Sequence, residues 1–199
     1  MKVFHGLEAY QQVTRPAVTI GTFDGVHYGH QKILNRLKTV AEQQQGESLL
    51  MTFWPHPRKV LQPANNDLAL LNTLNEKITL LERYGLDNLL VLPFTREFSQ
   101  QSAHGFIKDL LVDAIGVHTL VIGYDHRFGQ NREGGYEDLK AASHTYGYHL
   151  EQIPAQEIND STVSSTKVRE AVEAGRIQEV TRYLQHYYLL RGTVVYGDQ

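Results

Sequence analysis

Apolar positions along the chain alternate between two periods. Short continuous apolar runs are separated by longer segments in which apolar residues recur every three or four positions. Ala17-Val18-Thr19-Ile20 reads as a buried strand. The segment from Gly29 to about Gln45 carries Ile33, Leu34, Leu37, Val40 and Ala41 on one helical face. Ser48 to Phe53 predicts a second strand. Thr73 and Glu76 have the spacing of a capping box ahead of Ile78, Leu80 and Leu81, so a helix should start there. Asn88 to Leu92, His118 to Ile122 and His149 to Ile153 read as three further strands. Helices are expected from Ser102 to Ile115, stopped by Gly116, and from Tyr136 to Tyr146. Two shorter ones follow, Ser164 to Ala174, ended by Gly175, and another carrying Ile177, Val180, Tyr183 and Leu184.

Five strands alternating with helices predict an α/β domain, with a parallel sheet covered on both faces. Two stretches, Trp54 to Asn72 and Gly123 to Gly135, read as long loops, which in compact domains are often functional. Leu190 to Val195 reads as a new strand near the end of the chain. At 199 residues the chain can bury a sizeable core without staples. Cysteine is absent, which excludes disulfides, a thiol nucleophile and thiolate metal sites, and fits a cytoplasmic protein. The start lacks the apolar core of a signal peptide, and no apolar run is long enough to span a bilayer. Net charge is -3 with both signs interspersed, which argues against a dedicated nucleic-acid binder.

The first strand runs into Gly21-Thr22-Phe23-Asp24-Gly25-Val26-His27-Tyr28-Gly29-His30 and then a helix. Glycines let backbone approach a ligand, and a helix start offers unpaired N–H groups and the positive end of its dipole to an anion. His27 and His30 stand at that entrance as hydrogen-bond donors for phosphate oxygens. Histidines at this spacing could also ligate a metal together, but no carboxylate at a familiar spacing supports that. The glycine-bearing frame favours phosphate chemistry. Neither a GxxxxGK[ST] P-loop nor a GxGxxG fingerprint is present.

The run GTFDGVHYGH resembles the GxFDGxHxGH signature of the nucleotidylyltransferase superfamily, and its FDG version resembles bacterial FAD synthetases, the bifunctional riboflavin kinase/FMN adenylyltransferases. Three more stretches share the likeness. Ser164-Ser165-Thr166-Lys167-Val168-Arg169 resembles the superfamily's SSTxxR signature, which implies that Arg169 contacts phosphate opposite the histidines. Thr52-Phe53-Trp54-Pro55-His56-Pro57-Arg58 resembles the TFxPHP motif, with His56 and Arg58 as secondary phosphate or flavin contacts. Gly123 to Gly134 is similar to the flavin-site loop GxDxxFGxxRxG. It implies that Asp125 binds a polar edge of the ligand, that Phe128 shapes an aromatic pocket and that Arg132 faces the flavin phosphate. His126 departs from the aromatic carbon ring usual in that family. Phe94 to Phe98 also looks like the family's PFTxEF stretch.

The resemblance implies a Rossmann-like nucleotidylyltransferase fold with strand order 3-2-1-4-5. The two strongest motifs would then meet where the strand order reverses, the place where open parallel sheets bind ligands. It implies transfer of AMP from ATP to FMN, giving FAD and pyrophosphate, with Mg²⁺ bridging phosphate oxygens. His27, His30 and Arg169 would act on the reacting phosphates. Gly21, Thr22, Phe23, Asp24, Gly29, Ser164, Ser165 and Thr166 would line the ATP site, and no protein metal site is expected. Residues 1–184 would form the adenylyltransferase domain. Residues 185–199 would be a linker and the first strand of a riboflavin kinase domain. The GFPTxN motif of that domain is not in this sequence, so kinase activity is not expected of this stretch. Two other readings stay open: an adenylyl- or cytidylyltransferase with a different phosphate-bearing acceptor, and a flavin-binding module without catalysis.

Overall fold

The computed structural model describes residues 1–62, 68–154 and 163–197. Six strands form one parallel sheet: β1 (Lys2–His5), β2 (Ala17–Ile20), β3 (Ser48–Trp54), β4 (Asn88–Pro93), β5 (Thr119–Gly123) and β6 (His149–Ile153). Their spatial order is β1-β4-β3-β2-β5-β6, and every neighbouring pair is parallel. Counted from Ala17, this is the 3-2-1-4-5 order that the resemblance implies. The correction is β1, a sixth strand at the edge, where Lys2 to His5 pairs with Asn88 to Val91. Four residues with only Phe4 buried carry too little apolar signal to announce a strand.

Side chains alternate across a strand, and that alternation builds two core layers. On one face Val18, Ile20, Leu49, Met51, Leu90 and Leu92 pack against Phe106, Leu110, Leu111 and Leu139. On the other, Ala17, Leu50, Leu89 and Val91 pack against Leu34, Leu37, Leu80 and Leu81. The first layer is covered by α5 (Ala103–Gly105, continued over Phe106–Ala114) and α6 (Tyr136–Tyr146), the second by α1 (Tyr28–Gln43) and α3 (Leu74–Arg83). The capping box of α3 is formed: the Glu76 carboxylate accepts the Thr73 N–H at 2.8 Å, and the Thr73 hydroxyl accepts the Glu76 N–H at 3.3 Å.

Two expectations are refined, and one short helix is added. The predicted helix from Ser102 is α5, an α-turn over Ala103–Gly105 that widens into π geometry over Phe106–Ala114. Its widened turns let Phe106, Ile107, Leu110 and Leu111 all face the core. The stretch read as a loop from Trp54 holds a short helix, α2 (Pro57–Leu61), and residues 63–67 of it lie outside the described residues. A four-residue helix, α4 (Arg96–Ser99), precedes α5.

Helices α7 (Ser165–Glu173) and α8 (Ile177–Leu184) pack with Leu71 into a third apolar cluster. The strand expected at Leu190 to Val195 is not formed: residues 187–197 have neither helix nor strand. A strand needs a neighbour to take its backbone hydrogen bonds, and here Val194 and Val195 stand in solvent. Only the near part of this tail is tied down, through the Arg191 N–H on Glu76 at 3.1 Å and its guanidinium on the Thr79 hydroxyl at 3.3 Å.

Candidate active site

The sheet order reverses between β2 and β5, and a cleft of about 1010 Å³ opens beyond their carboxyl ends. The loop after β2 forms one wall. Phe23, Gly25 and Val26 all take positive φ, at 47°, 83° and 42°. Only Gly25 does so without penalty, and a Cβ there would also lie 2.6 Å from Leu71. The strained path persists because the loop is fastened from behind. The Thr22 carbonyl accepts from Lys77 Nζ at 2.6 Å and from the Thr52 hydroxyl at 3.3 Å. The Val26 carbonyl accepts from the buried Gln31 amide at 2.9 Å, and the Gly25 carbonyl faces His186 Nε2 at 3.2 Å.

Asp24 belongs to this fastening. Its carboxylate accepts from the Arg169 guanidinium at 2.8 Å and from the Leu71 N–H at 3.0 Å, and its carbonyl accepts from the Ser165 hydroxyl at 3.0 Å. Phe23 and Asp24, both buried, do not reach the cleft surface. Every other residue nominated from the sequence does line it.

Phe23, His30 and His27 form a stack of rings, with centroids 4.6 Å and then 3.7 Å apart. Burial pushes His27 down to about 4 and His30 well below the usual imidazole range, so both rings are neutral near pH 7. Nδ1 of each is enclosed with no hydrogen-bond partner among the described residues, which leaves Nε2 as the nitrogen each ring can offer to the cleft. Arg169 stands across from them on α7, one guanidinium nitrogen on Asp24 and its Nε enclosed without a partner among the described residues. At the start of α7 the Ser164 side chain caps the helix by accepting the Lys167 N–H at 3.3 Å, and its own proton is free to donate.

The loop after β5 forms the opposite wall. A single antiparallel bridge joins Phe128 to Gly134. Gly129 takes φ 73°, and a Cβ there would meet the Ala103 backbone at 2.9 Å. The loop is tied to α5 by the Gln130 N–H on the Gln101 carbonyl and the Ala103 N–H on the Glu133 carboxylate. Phe128 packs on Phe106 at 5.2 Å, and Phe53, Phe94 and Phe98 extend this apolar floor. Asp125 is on the surface of this loop. His126 stacks on Phe128 at 5.9 Å, and burial holds it at about 4. His56 does double duty: its Nδ1 accepts the Arg58 N–H at 3.2 Å, capping α2, while the residue borders the cleft.

Electrostatically the cleft favours anions. Arg58, Arg127, Arg132 and Arg169 line it, and Asp125 is the only carboxylate among the described lining residues. Among the described residues no group of three or more His, Asp or Glu side chains is arranged to hold a metal. Arg127, the phenylalanines that extend the floor beyond Phe128 and the fastening lysine Lys77 were not nominated from the sequence. Phe53, Phe94 and Phe98 stood inside recognised motifs, but nothing in their spacing showed that they share a floor.

The model of the FAD synthetase family matches residues 10–167. The chain belongs to the FAD synthetase family. The match includes the loops after β2 and β5 whole, and it ends two residues before Arg169. Among curated relatives, a bifunctional riboflavin kinase/FMN adenylyltransferase from Haemophilus influenzae is 34% identical over 200 residues, covering 100% of this chain and 65% of that protein. Its counterpart in Listeria monocytogenes is 33% identical over 183 residues, covering 92% of this chain and 57% of the relative. The chain thus spans about three fifths of the length of such FAD synthetase relatives. The crystal structure of a macrolide-efflux protein from Streptococcus pneumoniae superposes with a TM-score of 0.86 at 26% identity, covering 100% of this chain and 66% of that one. Among the described residues no helix of this chain is long and apolar enough to cross a membrane.

Proposed function

We propose that the chain is an FMN adenylyltransferase, joining AMP from ATP to the phosphate of FMN. The observation that carries this reading is the meeting of two unlike walls in one cleft. One wall offers neutral histidines, an arginine and a helix start, the groups that suit a triphosphate. The other offers a phenylalanine floor rimmed by Arg127, Arg132 and Asp125, which suits a flat ring system carrying polar edges and a phosphate. A volume of about 1010 Å³ has room for two such ligands.

In the reaction, an oxygen of the FMN phosphate attacks the α-phosphorus of ATP. That P–O bond forms as the bond from the α-phosphorus to the bridging oxygen breaks, and pyrophosphate leaves with the electron pair. The attacking phosphate is already an anion, so no strong base is needed and the work is positioning and charge stabilisation. His27 and His30 hold the triphosphate through Nε2. Being neutral at rest, they take up a proton more readily once phosphate lies beside them. Arg169, preset by Asp24, faces the charge that grows on pyrophosphate, with the Ser164 hydroxyl and the α7 N–H groups beside it. Gly21, Thr22 and Gly29 let the phosphates approach the backbone. Asp125 and Arg132 orient the flavin over Phe128, and His56 and Arg58 close the rim.

Mg²⁺, when bound with the nucleotide, would supply charge neutralisation at the phosphates. The lone cleft carboxylate fits an ion held by substrate and water, not by a protein cage. A cytoplasmic setting and a riboflavin kinase domain following residue 184 belong to the same proposal, supported by relatives whose names pair the two activities. The test is FAD and pyrophosphate formation from FMN, ATP and Mg²⁺, followed by chromatography. Adenylylation of a different phosphate-bearing acceptor, or FMN binding without turnover, would replace this reading with one of its two rivals.

A further inference from the structure

Lys77 lies on α3, outside every motif that marks the cleft. It is 2% exposed and does not line the cleft, so it cannot be a surface cation for the substrate. Burying an ammonium is costly unless its charge is used. Its ammonium donates to a backbone atom of the phosphate-facing loop, the Thr22 carbonyl at 2.6 Å, and the Trp54 ring lies 5.8 Å from Nζ. The charged and titratable groups that face it are Asp24 on the loop, His30 on α1 and His56 before α2.

A trans peptide points its C=O and N–H in opposite directions. With the Thr22 carbonyl drawn back onto Lys77 and Thr52, the Phe23 N–H of the same peptide is turned away from them. That N–H has no acceptor among the described residues. Thr22 itself lines the cleft, so the peptide sits with its carbonyl fastened behind the wall and its donor unspent. Phe23, the next residue, carries the first ring of the stack that ends in His30 and His27. One ammonium therefore sets both a backbone donor and the base of the histidine stack.

We propose that Lys77 is a positioning residue: its ammonium holds the Thr22–Phe23 peptide in the orientation that presents the loop to the nucleotide phosphates. The inference rests on the adenylyltransferase reading for its substrate and on the loop geometry for its mechanism. Two properties support it. Burial brings the Lys77 ammonium down to about 8, so its charge is lost just above neutral pH. His30 and His56 are held far lower, so neither competes in that range. The Thr52 hydroxyl bond survives loss of the charge, so the loop should loosen without unfolding.

The experiment is Lys77→Met in the full chain, read by thermal melting, by calorimetric binding of a non-hydrolysable ATP analogue, and by kcat/KM for ATP from pH 6.5 to 9.5. Methionine keeps the apolar stem, no ion pair of Lys77 within 4 Å is broken among the described residues, and the Thr22 carbonyl keeps the Thr52 hydroxyl, so the fold should hold. Melting should shift by only a few degrees. Analogue binding and kcat/KM should each fall about 10-fold or more, as expected when a binding loop is misplaced. Wild-type kcat/KM, which reports groups of the free enzyme, should decline above pH about 8, and K77M should lack that decline. Wild-type binding and an unchanged alkaline decline in K77M would overturn the proposal. If K77M does not fold, a wild-type profile of kcat/KM and analogue binding that is flat between pH 7 and 9 would overturn it. If the wild type binds the analogue but forms no FAD, the acceptor reading fails and Lys77 is still judged by analogue binding and its pH dependence.

Discussion

Replacing Asp24 distinguishes two roles that the sequence leaves together. As a nucleotide contact, Asp24 would affect ATP binding and leave the fold alone. In the structure it is a fastening residue. Its side chain is 3% exposed and that of Arg169 is 12% exposed, joined at 2.8 Å, and the other carboxylate oxygen holds the Leu71 N–H. Asp24→Asn keeps the shape and one acceptor but removes the charge, so the Arg169 guanidinium is left buried with an amide opposite it. Breaking a buried pair in this way costs about 3–5 kcal/mol. For a chain of this size each kcal/mol moves Tm by about 2–4 °C, so D24N should melt roughly 6–20 °C lower.

If the proposed adenylyl transfer holds, the same substitution should reduce turnover, because Asp24 presets the guanidinium assigned to the leaving pyrophosphate. Arg169→Met leaves the carboxylate stranded and should destabilise on a similar scale. The double variant D24N/R169M removes both charges and should recover part of the loss, with a coupling on the order of 1–3 kcal/mol. Urea unfolding and thermal melting of the wild type, the two single variants and the double variant measure that coupling. A D24N protein that melts within about 2 °C of wild type while its KM for ATP rises would refute the fastening role and restore Asp24 to the nucleotide site.

Three further outcomes follow from the geometry. His30→Ala should lower kcat by about 10²–10³, the usual cost of one preorganised donor, with little effect on FMN binding; wild-type turnover from a folded variant would remove His30 from the reaction. Asp125→Ala should weaken FMN binding more than ATP binding, and equal losses by calorimetry would count against flavin contact at that wall. Burial holds His27, His56 and His126 at about 4 against an ordinary 6.5. The unfolded chain therefore binds more protons between those values, and stability that is full above pH 6.5 should decline as pH falls towards 4. A Tm unchanged between pH 7 and 5 would refute the burial of these rings.

The hydrophobic pattern made most of the fold legible because the parallel strands are buried on both faces. Ala17 to Ile20 has no exposed residue, so it reads as a continuous apolar run, and Leu34, Leu37 and Val40 keep the 3.6-residue period of a helix with one buried face. The capping box of α3 was legible for a related reason: both partners are three residues apart, and the bond depends only on local backbone. What failed to show depends on long-range company. Strand β1 exists because Asn88 to Val91 offers it an edge. Leu190 to Val195 has strand-forming residues and, among the described residues, no edge to join.

The candidate site divides along the same line. The residues that line the cleft walls stood in recognisable runs, because a loop suited to phosphate or a flat ring must place several special residue types within a few positions. Residues that hold those loops need only one donor or acceptor each, and they come from elsewhere: Lys77 is 55 positions from Thr22, and Arg169 is 145 from Asp24. Lys77, with one apolar stem inside a helical pattern, reads as an ordinary solvated lysine until the fold places it behind the loop. Asp24 shows the converse, since it lies inside the motif read as phosphate-facing but its side chain turns inward onto Arg169 and the Leu71 N–H. Three left-handed residues in four positions force the loop to double back, and each side chain then faces the cleft or its supports according to local twist. The motif therefore locates the loop. Which of its residues face the cleft is decided by the direction each takes after the turn, and the carbonyls held from behind keep that turn in place.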